Sequence, residues 1–391
     1  MSDAPRNFGP ETQGAIYLRG MGAMAPEIPT SFTGLEAAAQ RKMSREAWAY
    51  TAGGAGLETA MEANRTAFAR FPIAARMLGG AGARDLRSEI FGAKVAAPIL
   101  SSPIGVLEMM HPDADLAVAR AMSRLNLAMI ISSQASYPME AIAAANGDGP
   151  RFYQLYWGKQ DLVAESFVKR AEACGCRAIF ITLDTTMLGW RPRDLDLGFS
   201  PFLRSQGIAQ YTSDPAFRSL LSQTPEDNPQ GAAITFTQMF SDPSLDWARI
   251  AKIRSWTKLP VVLKGIMRPD DAAKAVSEGY DGIMVSNHGG RQVDGGMGAL
   301  EALPGIVAAV NGRAPVFMDS GVRCGGDLFK AFALGADAVG VGRPYVYGLA
   351  LGGEAGVEAV FQYLAAELDI TMALTGCRTL SDVGREMLAA S

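Results

Sequence analysis

Two decapeptides, SEGYDGIMVS at 277–286 and ALGADAVGVG at 333–342, repeat one design. In each, the tail of an amphipathic helix ends at a glycine, an acidic residue follows, and a short apolar strand surfaces in small polar residues. Six further apolar runs share the strand half of that design: APILSS (97–102), LAMIIS (127–132), FYQLY (152–156), AIFITL (178–183), PVVLK (260–264) and PVFMD (315–319). With GIMVS (282–286) and AVGVG (338–342) they make eight. Amphipathic stretches such as ADLAVARAMSRL, LVAESFVKRAEAC, PDDAAKAVSEG and GGDLFKAFALG follow most of them. Strands that are apolar throughout, alternating with helices, predict an α/β fold, a (β/α)8 TIM barrel over about 95–370. A doubly wound parallel sheet is the rival topology.

At 391 residues the chain could be two domains or one large barrel, and the repeat pattern decides for a single domain over 1–390. Hydrophobic residues are 48% of the 391 and charged residues 19%, enough for a large core and unlike a disordered chain. A net charge of −4 gives no reason to expect nucleic acid. Cys174, Cys176, Cys324 and Cys377 lack metal-ligand spacing, so no metal site is expected and the thiols are read as reduced, in a cytoplasmic protein. The first twenty residues lack a signal-peptide core, and no apolar run approaches the ~18 residues of a spanning helix, so no membrane attachment is expected.

Outside the repeat, residues 1 to about 30 carry Pro5, Pro10, Pro26 and Pro29 and are expected to form an irregular arm lying over the domain or a neighbouring subunit. From Ser31 to Phe71 the pattern is helical, with a start at Ser44 and a stop at Gly53-Gly54. The fourth and fifth runs are separated by a long insertion, about 195–245, rich in Pro, Gly, Ser and Gln. Its position after the fourth strand suits a lid over the barrel mouth and its composition suits partial disorder; a peripheral or subunit-contact insertion is the alternative.

Reactive residues in such barrels stand at the C-terminal ends of strands. The sixth run leads into SNHGGRQ, which sets His288, one of only two histidines, three residues from Arg291. A base for chemistry near neutral pH and a fixed cation can therefore face one space. The other histidine, His111, has no clustered partner and reads as structural. DSGVRCGGD (319–327) and GVGRP (340–344) follow the last two strands, each a glycine-rich turn with one arginine, the usual phosphate cradle of this fold. Lys264 could form a Schiff base, bind phosphate or stabilise an anionic ring. Asp184 could hold the far nitrogen of His288 and favour its protonated form, or be a surface cap.

These motifs, with VVLKGI, VGRP and the closing ELDITMALTGCRTL, resemble the FMN-dependent L-2-hydroxy acid oxidases and dehydrogenases over nearly the whole chain. The resemblance implies FMN as cofactor, a small 2-hydroxy acid as substrate, oxygen as acceptor and a homotetramer or homo-octamer. It implies His288 as the base, partnered by Asp184, with Tyr50, Arg191 and Arg291 gripping the substrate carboxylate and Tyr156 hydrogen-bonding the substrate. For the cofactor it implies Lys264 at the pyrimidine edge of the ring, Ser132, Gln154 and Thr182 as hydrogen-bonding partners of the ring, and Ser286 nearby. Pro103, Ile104 and Gly105 would lie against the ring, Asp319 would hold ribityl hydroxyls, and Gly321, Arg323, Gly342 and Arg343 the phosphate.

Within the family, the segment TLDTTMLGWRPRDLDLGFSPFLR, the phrase YTSDPAF, the triplet DSG and Gly105 lean toward the lactate 2-monooxygenase branch, which turns lactate into acetate, carbon dioxide and water. A 2-hydroxy acid oxidase releasing hydrogen peroxide and a dehydrogenase with another acceptor are the alternatives. An FMN-dependent isomerase or a catalytically idle flavoprotein would belong to different classes. Gln134 departs from the family pattern, in which this wall of the substrate pocket is commonly apolar or aromatic, so the identity of the acid stays open.

Overall fold

The eight apolar runs become eight parallel strands, which the computed structural model, describing residues 6–389, closes into a barrel. A small antiparallel hairpin comes first, β1 (Ser88–Ile90) and β2 (Ala93–Val95). The barrel follows as β3 (Ile99–Ser101), β4 (Ala128–Ile131), β5 (Arg151–Tyr156), β6 (Ile179–Thr182), β7 (Val261–Ile266), β8 (Gly282–Val285), β9 (Val316–Met318) and β10 (Ala338–Val341). β10 pairs with β3, Val339 opposite Ile99, and the ring is complete.

Alternation along each strand divides the core in two. Leu100, Ile130, Phe152, Phe180, Val262 and Phe317 fill the barrel, while Ile99, Met129, Tyr153, Ile179 and Leu263 face the helices. The β1–β2 hairpin seals the N-terminal end. Its Phe91 ring stands edge-on to Phe152 at 6.2 Å and tilted on Phe317 at 5.8 Å. Polar residues are buried at the opposite end: Gln154, Thr182, Lys264, Ser286 and Asp319. The fold thus leaves one mouth, at the C-terminal ends of the strands.

β7 departs from regular pairing just where its lysine surfaces. The register against β8 shifts between Lys264 and Ile266, and Gly265 takes φ +104°. A Cβ on Gly265 would fall 2.8 Å from Asp184 Cβ, so only glycine lets the bulge bring the Lys264 strand against Asp184.

Two expectations from the sequence are corrected. The N-terminal arm is not irregular: Phe8–Gly20 is a helix laid along the long C-terminal helix Arg343–Thr375. Pro10 lies in its first turn, where a missing N–H costs no bond. The Gly9 N–H donates to Asp369 Oδ2 at 2.7 Å, and Asp369 is also paired, in a buried salt bridge, with Arg84. Pro5 falls outside the described residues. The insertion, for its part, is folded into short helices, the longest Pro229–Phe240. Phe202, Tyr211, Phe217, Phe236 and Phe240 form its own aromatic core, which the Pro, Gly and Ser content of the segment concealed. Ser44 and Gly53 bound the helix Arg45–Ala52 as expected, the Ser44 hydroxyl accepting from the Ala47 N–H. Among the described residues no helix is long and apolar enough to cross a membrane.

Candidate functional site

β8 ends at Val285 and the chain turns at once into a short 3-10 segment, His288–Gly290. His288 has φ +58°, a left-handed conformation that a side chain with a Cβ adopts at a cost. Several contacts hold it there. Its N–H donates to Ser286 Oγ at 3.1 Å, and its Nδ1 lies 2.8 Å from Asp184 Oδ1 and 3.1 Å from Thr185 Oγ1. The Asn287 side chain accepts from the Gly290 N–H and exchanges hydrogen bonds with Asn64, which ties the turn to the helix Thr59–Ala69.

Charges in this cluster fix the proton. Burial alone would raise the Asp184 carboxyl, but Lys264 and His288 bring it down to about 2, so it is a carboxylate. An ionised Oδ1 only accepts, so the proton of the imidazole sits on Nδ1 and Nε2 carries the lone pair. For His288 itself burial is the larger influence and lowers the pKa, with Asp184 pulling back only in part. Asp184 does favour the protonated ring, as expected, and it also orients it, but desolvation outweighs that pull and keeps His288 neutral. Lys264 is the reverse case. Burial works against its charge, but Asp319 at 3.6 Å and Asp184 at 3.8 Å outweigh it and raise its pKa, and its Nζ donates to Ser286 Oγ at 2.9 Å.

Arginines flank this centre without carboxylate partners. Arg291 donates to the carbonyls of Tyr50 and, at 3.0 Å, Gly53, and its guanidinium lies 4.9 Å over the Tyr50 ring. Arg191 donates to the Arg291 carbonyl at 3.1 Å and to Gln292 Oε1 at 2.7 Å. Burial and the neighbouring Arg291 push its pKa down to about 10. On the far side Arg343 donates to the carbonyls of Thr51, Gly289 and Gly53, while Arg323 donates to the Val322 carbonyl and lies 4.6 Å over Phe32. Burial, reinforced by Arg323 and Arg291, takes Arg343 down to about 9; burial takes Arg323 to about 10. Among the described residues none of the four is ion-paired. Buried or half-buried guanidinium groups in that state favour anionic ligands.

The sequence-predicted residues mostly meet in one cavity. Tyr50, Tyr156, Arg191, His288 and Arg291 line it. So do Pro103, Ile104, Gly105 and Lys264, and Asp319, Gly321, Arg323, Gly342 and Arg343. Ser132, Gln154, Thr182 and Ser286 are buried and do not form its surface. Of these, Gln154 Nε2 and Thr182 Oγ1 are buried without any hydrogen-bond partner. Thr182 sits opposite Lys264 in the sheet register, so an unpaired hydroxyl adjoins the cavity's lysine. His111 takes no part in the cavity lining; its Nδ1 accepts from the Asp113 N–H at 3.1 Å.

Two residues of the site escaped the sequence. Thr185, which donates to Asp184 Oδ1 at 2.9 Å, had only its adjacency to Asp184 as a signal. Gln292 had its place at the end of SNHGGRQ. Its Nε2 donates to the carbonyls of Asp184 and Met187, and its Oε1 accepts from Arg191 and the Gly189 N–H. One amide thus joins the loop after β6 to the turn after β8.

Orphaned donors beside a lysine, unpaired arginines at the last two strands and the wide cavity between them suit a flat heteroaromatic group with a phosphate tail. Known proteins agree. The model of the FMN-dependent dehydrogenase family matches residues 39–390. L-lactate oxidase of Lysinibacillus sphaericus is 40% identical, covering 94% of this chain and 95% of its own. An FMN-dependent alpha-hydroxy acid dehydrogenase of Penicillium citrinum is 41% identical over 98% and 96%. Glycolate oxidase of Spinacia oleracea is 39% identical over 92% and 96%. Among solved structures, mandelate oxidase with (S)-4-hydroxymandelic acid superposes with a TM-score of 0.82 at 37% identity, covering 92% of this chain and 98% of that one.

Proposed function

The chain belongs to the FMN-dependent dehydrogenase family and is an oxidoreductase of 2-hydroxy acids, and on that premise we propose that it oxidises a small L-2-hydroxy acid to the 2-oxo acid with oxygen as the acceptor. When bound, FMN supplies the acceptor for the two electrons that leave the substrate. Arg323, Arg343 and the Gly342 turn would hold its phosphate, and Asp319 its ribityl hydroxyls. Lys264, Ser132, Gln154, Thr182 and Ser286 would meet the ring, whose polar edge answers the orphaned Gln154 amide and Thr182 hydroxyl.

The observation that carries the reading is the state of His288. Its Nδ1 proton is committed to an ionised Asp184, so Nε2 is free to take a proton, in a cavity shared with two arginines that have no carboxylate of their own. Arg291 and Arg191 place the substrate carboxylate, aided by Tyr50. Arg291 also leans on the Tyr50 ring, so the grip is one unit. His288 then accepts the hydroxyl proton, and the Asp184 carboxylate stabilises the imidazolium that forms. Tyr156, whose hydroxyl is kept protonated by burial, donates to the substrate.

Phe202 and Leu188 line the cavity from the insertion and from the loop leading into it, which supports a lid. A lid that retains pyruvate and peroxide together fits the monooxygenase outcome. The simple oxidase is the second reading, because Gly105 does not decide against it. A Cβ there would fall 2.7 Å from Gln134 Cβ, so the neighbour alone accounts for the glycine and no branch assignment is needed. Anaerobic mixing with L-lactate and other small 2-hydroxy acids tests the proposal. Bleaching of the bound flavin is expected, and a flavin that stays yellow with all of them removes it. In air, acetate without free peroxide marks the monooxygenase and pyruvate with peroxide the oxidase.

A further inference from the structure

Resting on that function, we infer that the cavity selects a 2-hydroxy acid with a neutral hydroxyl on its third carbon, as in L-glycerate, and that Gln134 is the residue that recognises it. Gln134 lines the cavity and is 5% exposed, yet its Nε2 has no hydrogen-bond partner. Its backbone is fixed. The N–H donates to Ser132 Oγ at 3.1 Å and the carbonyl accepts from Val106 at 2.9 Å.

Space has been made for this side chain. Besides meeting Gln134 Cβ, a Cβ on Gly105 would fall 3.3 Å from Gln134 Oε1. From above, Gly207 of the insertion, at φ +67°, closes on the Gln134 carbonyl, where its Cβ would stand at 3.1 Å. Gly105 therefore leaves room for the side chain and Gly207 for the backbone of Gln134, whereas Ile104, Leu188 and Phe202 are apolar members of the same lining.

A buried, unpaired amide N–H in the residue lining a cavity is unfavourable until a ligand supplies the partner. The partner's chemistry follows from the surroundings. Among the described residues no cation hydrogen-bonds Gln134, and the proposed function already assigns Arg191 and Arg291 to the first carboxylate, so a second carboxylate at Gln134 would lack a counter-charge of its own. A hydroxyl suits either orientation of the amide, because it both donates and accepts. It would stand on the carbon next to the reacting one, giving a 2,3-dihydroxy acid.

L-glycerate and L-2-hydroxybutanoate are matched in size and differ in that one hydroxyl, so the holoenzyme's kcat/KM for flavin reduction by the two acids gives the test. Wild type should favour glycerate by about 10-fold, one neutral hydrogen bond's worth, and Gln134→Met should erase that preference. Equal use of the two acids by wild type, a preference for butanoate, or a preference that persists in the variant overturns the inference. The wild-type ratio decides even if the variant does not fold. Reduction by lactate or butanoate with glycerate the poorest substrate sinks Gln134's role and leaves the oxidase standing; reduction by no 2-hydroxy acid sinks both.

Discussion

The centre of the cavity and its two ends handle positive charge in opposite ways. At the centre Lys264 stands between Asp184 and Asp319, and its ammonium is stabilised despite full burial. At the ends Arg191 and Arg323 have no carboxylate partners, and burial weakens their hold on the proton. The ends also touch: the Gly53 carbonyl accepts from both Arg291 and Arg343. A balanced centre is complete without a ligand, whereas unbalanced ends are completed by one. Under the proposed function the centre would serve the proton transfer and the ends the two anionic groups, the substrate carboxylate and the cofactor phosphate.

Changes at the centre should have the largest effects. His288→Gln keeps the outline of the ring and removes the base, so the anaerobic reduction rate should fall about 10³-fold while the flavin stays bound. A rate within tenfold of wild type would take His288 out of the proton path. Lys264→Met leaves Asp184 and Asp319 without their shared cation, and urea unfolding of the FMN-free protein should show a loss of about 3–5 kcal/mol. An unchanged midpoint would mean the centre is not balanced by Lys264.

At the ends the sign should differ. Arg323→Met should weaken FMN binding by roughly 10- to 100-fold, a charge-assisted contact's worth, yet leave the stability of the FMN-free protein the same or higher. Parallel losses in both measurements would erase the contrast between centre and ends. The smallest effect is a displacement in pH. Because burial lowers the pKa of His288, and the neutral ring is the working form, kcat/KM should rise with pH through a midpoint below the ordinary imidazole value of about 6.5. Asp184→Asn removes the charge that pulls the other way, so its midpoint should lie lower still. A limb at or above neutrality would show that Asp184, and not burial, sets the proton affinity.

Much of this was legible in the chain. Apolar runs at a steady spacing specify parallel strands because both faces of each strand are buried, and the polar residues at their ends had nowhere to go but the mouth. Arg323 and Arg343 could be read because glycine turns at the last two strands carry them. What stayed hidden depends on groups that meet only after folding. Gln292 works through four partners on a loop about a hundred residues away, and Thr185 looked like any threonine after a strand. The pull of Asp184 on His288 could be read, but the net direction of the shift could not, because a sequence displays the carboxylate and not the desolvation. The N-terminal helix was missed because its anchor, Asp369, lies at the other end of the chain.

That last clasp governs the order in which the molecule can be finished. The Gly9 N–H and its acceptor on Asp369 are 360 residues apart in the chain. At ribosomal rates the first helix emerges on the order of 20–70 s before its partner exists. Its buried face, Phe8 and Thr12 among it, must wait uncovered through that interval. The segment at the start of the chain is thus among the last to dock, and a nascent chain stalled before Asp369 would expose it to any protease or chaperone at hand.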